Sequence, residues 1–294
     1  MFSKNKSFIY YFINAVIIIC AVYFLYTKYF AGMLDEIGTG GGSVALLLGV
    51  TALIAVIYIL KAFRLYIIFL DSRISGIRFL EVYLKTMPVS LAFPLKSGEL
   101  FKMYCFAVET GSLRLGILGI LVERFFDTIP LLVLLILFTM ISGGTVIPIV
   151  IITSGFLILI SALYFSFPSI YSYMNKYCMI NIKSEKAVGL LKLLEGVKSL
   201  YDILKVLIKD RVALLLIISS FTWLSECCVL TLFAFGLGYG FETDLFLTYI
   251  NSVFTGETNG YVNIYVGLSA VLFLAVFLIV YAIKYMKKIR RVKA

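Results

Sequence analysis

Histidine is absent from the 294 residues. That removes the usual zinc ligand, the commonest general acid–base catalyst and the side chain that titrates near neutrality. Charged residues are scarce, at 14% of the chain against about 25% in an average soluble domain. The five cysteines (Cys20, Cys105, Cys178, Cys227 and Cys228) have neither disulfide-framework nor CxxC metal spacing. Three of them fall in apolar runs, where Cys serves as a small hydrophobe. No cofactor or metal is expected. Gly38 to Ser43 is rich in glycine but lacks the preceding strand and the rest of a P-loop.

Hydrophobic residues make up 62% of the chain, and its mean hydropathy is +1.05. These values describe an all-α, polytopic transmembrane helix bundle, a single domain over 1–294 with no sizeable soluble part. At about 20 apolar residues per crossing, six full spans are expected near 8–27, 44–60, 116–141, 146–167, 212–236 and 263–283. The first is too long and too aromatic for a signal-peptide core and has no small-residue cleavage site, so it is expected to remain as a helix. The net charge of +10 does not point to nucleic acid. Its Lys and Arg flank apolar spans, and no basic soluble module is present to carry nucleic-acid binding.

The same basic residues orient the chain in the cell membrane. Lys4 and Lys6 precede the first span, and Lys61, Arg64, Arg73 and Arg78 follow or close the second. Eight Lys or Arg lie from Lys176 to Arg211 and six from Lys284 to Lys293, whereas 28–43 and 237–262 hold one basic residue, Lys28. Both termini are therefore expected in the cytoplasm. The apolar stretch 79–95 then cannot cross once. Pro88, Pro94 and Gly98 should interrupt any helix there, so 79–99 reads as a re-entrant hairpin opening to the cytoplasm, with a short loop as the alternative. A second, inverted dip at 241–260 would complete a possible inverted repeat; an ordinary outer loop fits that segment equally. Residues 183–211 carry leucines at helical spacing opposite a charged face, an amphipathic helix for the membrane surface or for packing on the bundle.

Glu123, Arg124 and Asp127 stand inside the third span. Charges in such a place are costly, and they usually face protein or a water-filled cavity. On a helix Glu123 and Asp127 share a face, and Arg124 can pair with Asp127. The cluster reads either as a self-neutralised packing element or as the lining of a path for a charged cargo.

Three motifs in order give this arrangement a precedent: Lys61-Ala-Phe-Arg64, then Phe93-Pro-Leu-Lys-Ser-Gly-Glu-Leu-Phe-Lys102, then Val122-Glu-Arg-Phe-Phe-Asp127. Together they resemble the flippase-like family that includes the transmembrane domain of lysylphosphatidylglycerol synthase. The family pattern is an Arg closing an early helix, a Pro-x-x-x-Gly-Glu turn followed by a basic residue, and Glu-Arg-x-x-Asp heading a long helix. Arg64, Pro94, Gly98, Glu99, Lys102, Glu123, Arg124 and Asp127 fall on it, and Trp223 with Glu226 is a looser match. The resemblance runs from the first span to about 240. Beyond that, Thr255-Gly-Glu-Thr-Asn-Gly260 stands where family members carry a Pro-Gly-Gly-rich turn. No counterpart of the synthase's aminoacyl-transferring domain is found in these residues, so lipid lysylation is not expected.

The resemblance implies handling of an anionic phospholipid, an aminoacylated phospholipid or a polyprenyl-linked sugar lipid. Arg64 and Arg124 have the planar fork that suits phosphate, and Lys85, Lys96 and Lys102 would add charge at the mouth of the site. Glu99, Glu123 and Asp127 would hold those cations or meet an ammonium. Glu226, on a face with Ser219, Thr222 and Trp223, would form the far wall or stay buried and protonated. An enzyme acting on lipid is disfavoured, because the His residues and paired aspartates such sites use are missing. A non-transporting partner of an envelope-biosynthesis enzyme is the open alternative.

Overall fold

The computed structural model describes residues 4–30, 33, 44–72, 74–93, 98–141, 148–181, 185–236, 246–247, 249–250 and 260–293. Among the described residues there are nine α-helices and no strand. They are α1 (Lys4–Leu25, continued by a π-helical turn, Tyr26–Phe30), α2 (Val44–Ile68), α3 (Gly76–Ala92) and α4 (Gly98–Thr110). There follow α5 (Leu113–Ile141), α6 (Pro148–Asn181), α7 (Glu185–Ile208), α8 (Val212–Gly236) and α9 (Gly260–Lys293).

Five stretches are long and apolar enough to cross a bilayer: Phe12–Phe30, Leu46–Ile68, Val150–Cys178, Val212–Phe233 and Asn263–Val280. The sequence suggested six. The remaining one is α5, whose 29 residues exceed a span in length. It differs from the five in carrying Arg114, Glu123, Arg124 and Asp127 in its first half.

The centre of the bundle is α2, packed most closely on α8 and also against α3, α5 and α9. Helix α8 shows how such a helix is patterned. Leu215, Ser219, Thr222, Trp223, Glu226, Leu230 and Phe233 form a buried stripe at intervals of one, three and four residues, whereas Ile217, Phe221, Leu224 and Phe235 are exposed. Its buried polar groups Ser219, Thr222 and Glu226 are on the inward face and its exposed large side chains are apolar, the arrangement favoured when the surrounding solvent is hydrocarbon.

The segment expected to dip is a helical hairpin, and this corrects part of the sequence reading. Pro88 does not interrupt the backbone; it lies inside α3. A proline removes one N–H and bends a helix, but continuous packing on both sides can carry the helix past it. Here Met87 and Val89 are buried, and Thr86 Oγ1 donates to the carbonyls of Val82 and Tyr83. Gly98 likewise opens α4 instead of breaking it. The hairpin therefore extends over 76–110, and each limb is shorter than a full crossing. Pro94 and Lys96 lie outside the described residues. So does most of the second candidate dip, where Phe246, Tyr249 and Ile250 are described and buried.

Helix α7 is the amphipathic segment, and it packs on α5 and α6. Leu207 joins Ile68, Leu118 and Leu215 in a small apolar cluster. At its end Asp210 takes a left-handed φ of 58°, and Arg211 reaches the Ile67 carbonyl at 2.9 Å and Asp71 at 2.7 Å. That guanidinium satisfies a carbonyl left open at the C-terminus of α2.

Candidate functional site

Lys61 and Arg64 are three residues apart near the end of α2, so both project from one face of it. Arg64 is fully buried. Its Nη1 donates to Asp127 Oδ1 at 2.6 Å and to Ser219 Oγ at 2.8 Å, and its Nη2 lies 3.5 Å from Glu123 Oε1. One side chain of α2 thereby joins α5 to α8.

Helix α4 enters the same cluster. Lys102, fully buried, places Nζ 2.7 Å from Glu123 Oε2 and 3.9 Å from Glu99 Oε2. Glu99 accepts from Ser90 Oγ of α3 at 2.6 Å, and its Oε1 stands 2.9 Å from Arg124 Nη2. Arg124 reaches Asp127 at 3.5 Å and Glu123 at 3.9 Å. The nearest partner of Asp127 is therefore Arg64 on another helix, not its own neighbour Arg124.

Next to this cluster Lys61 Nζ lies 2.5 Å from Glu226 Oε1 and 5.4 Å from the centre of the Tyr58 ring. Tyr249 donates its hydroxyl to Glu226 Oε2 at 3.2 Å. Trp223 Nε1–H donates to the Asp127 carbonyl at 2.9 Å, close to Pro130, where the ladder of α5 is already interrupted.

Among the described residues, four cations (Lys61, Arg64, Lys102, Arg124) thus meet four carboxylates (Glu99, Glu123, Asp127, Glu226), drawn from α2, α4, α5 and α8. The formal charge of these eight is zero. Arg124 and Lys61 keep 27% and 20% of their side chains exposed, while Arg64, Lys102 and Glu123 keep none. Removing a single member of such a group leaves an uncompensated buried charge, at a cost of about 3–5 kcal/mol. An intact network, in contrast, is no more stabilising than apolar side chains of the same volume. Its presence is thus poorly explained by stability alone.

Of the residues singled out from the sequence, Arg64, Glu99, Lys102, Glu123, Arg124, Asp127 and Glu226 take part directly, and Trp223 takes part through its indole. Gly98 has a steric part. A Cβ there would stand 2.5 Å from the Ser90 Cα and from the Val89 carbonyl oxygen, so only glycine lets α4 begin so close to α3. Lys85 lies on α3, with its ammonium 5.7 Å from the Phe101 ring centre. Lys61, Ser90, Ser219 and Tyr249 were not among the residues picked for the site. Lys61 could have been found from its spacing to Arg64, and Ser219 was already placed on the Glu226 face; Ser90 lies within the 79–99 segment, whereas Tyr249 sits on a distant element with no sequence mark.

No curated protein and no solved structure matches the chain. The family described as the lysylphosphatidylglycerol synthase TM region matches residues 11–256, which includes all eight charged residues and reaches beyond the point at which the motifs fade. On that match, and with the geometry just described, this chain belongs to the lysylphosphatidylglycerol synthase transmembrane family.

Proposed function

We propose that the bundle moves a lipid with a phosphate-bearing headgroup between the leaflets of the cytoplasmic membrane. The lipid class is an anionic, aminoacylated or polyprenyl-phosphate-linked lipid. The observation that carries this reading is the neutral group of eight charges held among apolar helices, with Arg124 and Lys61 partly exposed at its edge. Charged groups inside a bundle mark substrate and ion pathways by default, and a guanidinium is the side chain best matched to phosphate. In this reading both termini are cytoplasmic, and the α3–α4 hairpin opens toward the cytoplasm. No chemical change to the lipid is assigned.

The test is headgroup translocation in proteoliposomes containing the purified chain, with headgroup-labelled phosphatidylglycerol as probe. Faster transfer than in protein-free vesicles, with the lipid chemically unchanged, is the expected result. Equal rates would remove the transport reading.

One observation favours a second reading, a non-transporting partner of an envelope-polymer or lipid-modifying enzyme. A surface groove of about 570 Å³ lies between α7, Tyr171 of α6, Leu115 of α5 and the turn at Asp71 and Ser72, and none of the eight network charges lines it. A stoichiometric complex with such an enzyme, together with no translocation, would support that reading.

A further inference from the structure

Because the eight charges of the described network already cancel, an entering anion would take the place of a carboxylate. Three of the four carboxylates are paired with a cation of the central helix α2. Glu123 lies between Arg64 and Lys102 and is fully buried. Asp127 is gripped by Arg64, and its carbonyl by Trp223. Glu226 is held by Lys61 and Tyr249. Glu99 differs in being carried by the hairpin.

Glu99 also lies where an anion is favoured. It is in the first turn of the 13-residue helix α4, where the helix dipole favours an anion. Ser90 and Arg124 stand within 2.6 Å and 2.9 Å of its Oε1, and Lys102 lies 3.9 Å from its Oε2. Arg124 is the most exposed of the four cations, and its Nε is buried without a hydrogen-bond partner. Its other carboxylates are farther, Asp127 at 3.5 Å and Glu123 at 3.9 Å, so withdrawal of Glu99 would remove its shortest ion pair. The contact of Gly98 with Val89 and Ser90 couples Glu99 to the end of α3.

We propose that Glu99 is a displaceable, tethered anion occupying a phosphate seat formed by Arg124, Lys102 and Ser90. The ligand class is a phosphate mono- or diester anion, from a lipid headgroup or free in solution. This rests on the reading of the network as a lipid-handling site, and it adds that the site is held shut by its own carboxylate.

The test is calorimetric titration of the purified full chain in detergent. The probes are inorganic phosphate, dioctanoyl phosphatidylglycerol and, lacking phosphate, dioctanoylglycerol. Glu99→Gln should bind a phosphate-bearing probe about tenfold more tightly than the parent, the gain expected when a competent state populated about one part in ten becomes the major one. Adding Arg124→Gln should abolish the gain, and dioctanoylglycerol should show none. A gain with phosphatidylglycerol alone identifies a lipid headgroup, and a gain with inorganic phosphate alone a free anion. Unchanged or weaker binding in folded Glu99→Gln overturns the proposal. Should that variant fail to fold, Glu99→Asp, which shortens the tether, must show a smaller gain, and parental affinity in it overturns the proposal equally. Translocation by the parent without a gain in either variant defeats the seat alone. A gain without translocation defeats the transport reading and leaves the seat.

Discussion

The indole of Trp223 donates to the backbone oxygen of Asp127 while Arg64 holds the carboxylate of that residue, so α8 and α2 grip α5 at a single position. Trp223→Phe keeps the ring and loses only the donor. It should cost about 1 kcal/mol, the net worth of one hydrogen bond, and lower the melting temperature of the purified protein by a few degrees. An unchanged melting curve would show that the bond adds nothing.

Lys102 and Glu123 are both fully buried and 2.7 Å apart. Lys102→Met and Glu123→Gln should each destabilise by about 3–5 kcal/mol, since each strands a buried charge. The double variant should be less destabilised than the two single effects added, and thermal or denaturant unfolding in detergent measures the difference. Strict additivity would mean that the two residues do not act on each other.

Arg124→Lys separates charge from shape. If the fork of Arg124 grips phosphate, the Lys variant should fold and insert normally yet translocate headgroups more slowly, because an ammonium cannot make the two-pronged contact. Rates normalised to folded protein, for the parent, Arg124→Lys and Arg124→Gln, decide this. Parental rates in both variants would take Arg124 out of the mechanism. Loss in Gln alone would leave it a purely electrostatic part.

A Cβ at Gly116 would lie 2.4 Å from the Ala107 nitrogen and 2.5 Å from its Cα, backbone atoms that cannot rotate away. Gly116→Ala should therefore push α4 off α5 and cost about 1–3 kcal/mol. At Gly155 nothing lies within 4 Å, so Gly155→Ala should be neutral or stabilise the helix by up to about 1 kcal/mol. Equal melting shifts in the two variants would contradict the packing of α4 on α5.

Membrane orientation is open to a chemical test. In a chain cleared of its five native cysteines, single cysteines at Ser72 and Leu113 bracket the α3–α4 hairpin. Both should react with an impermeant maleimide only from the cytoplasmic side. Reaction of the two from opposite sides would make 76–110 a crossing segment.

How far the sequence reveals this structure depends on the range of each interaction. The span positions, the amphipathic α7 and the Glu-Arg-x-x-Asp cluster are local patterns of hydropathy and spacing, and they are plain in the chain. Pro88 misled because propensity is local, whereas a helix passing a proline is sustained by neighbours such as α4 that are invisible from within α3. The pairing of Arg64 with Asp127 links residues 63 positions apart, and that of Lys61 with Glu226 links residues 165 apart. Composition shows that buried charges need partners, but it does not show which partners. Ser219 is on the Glu226 face in the sequence, but its bond to Arg64, like that of Tyr249 to Glu226, shows only in the folded chain.

The zero sum of the eight buried charges bears on how the protein would respond to membrane voltage. A group with no net charge can shift as a body through the field with no electrical work, so the resting cluster should be electrically silent. Parting Glu99 from Arg124 along the membrane normal is different, because it separates charge. A full elementary charge crossing 100 mV corresponds to about 2.3 kcal/mol, and a partial movement to its fraction of that. The membrane potential would then act on the opening of the hairpin, which leaves one uncompensated positive charge in the cluster behind it.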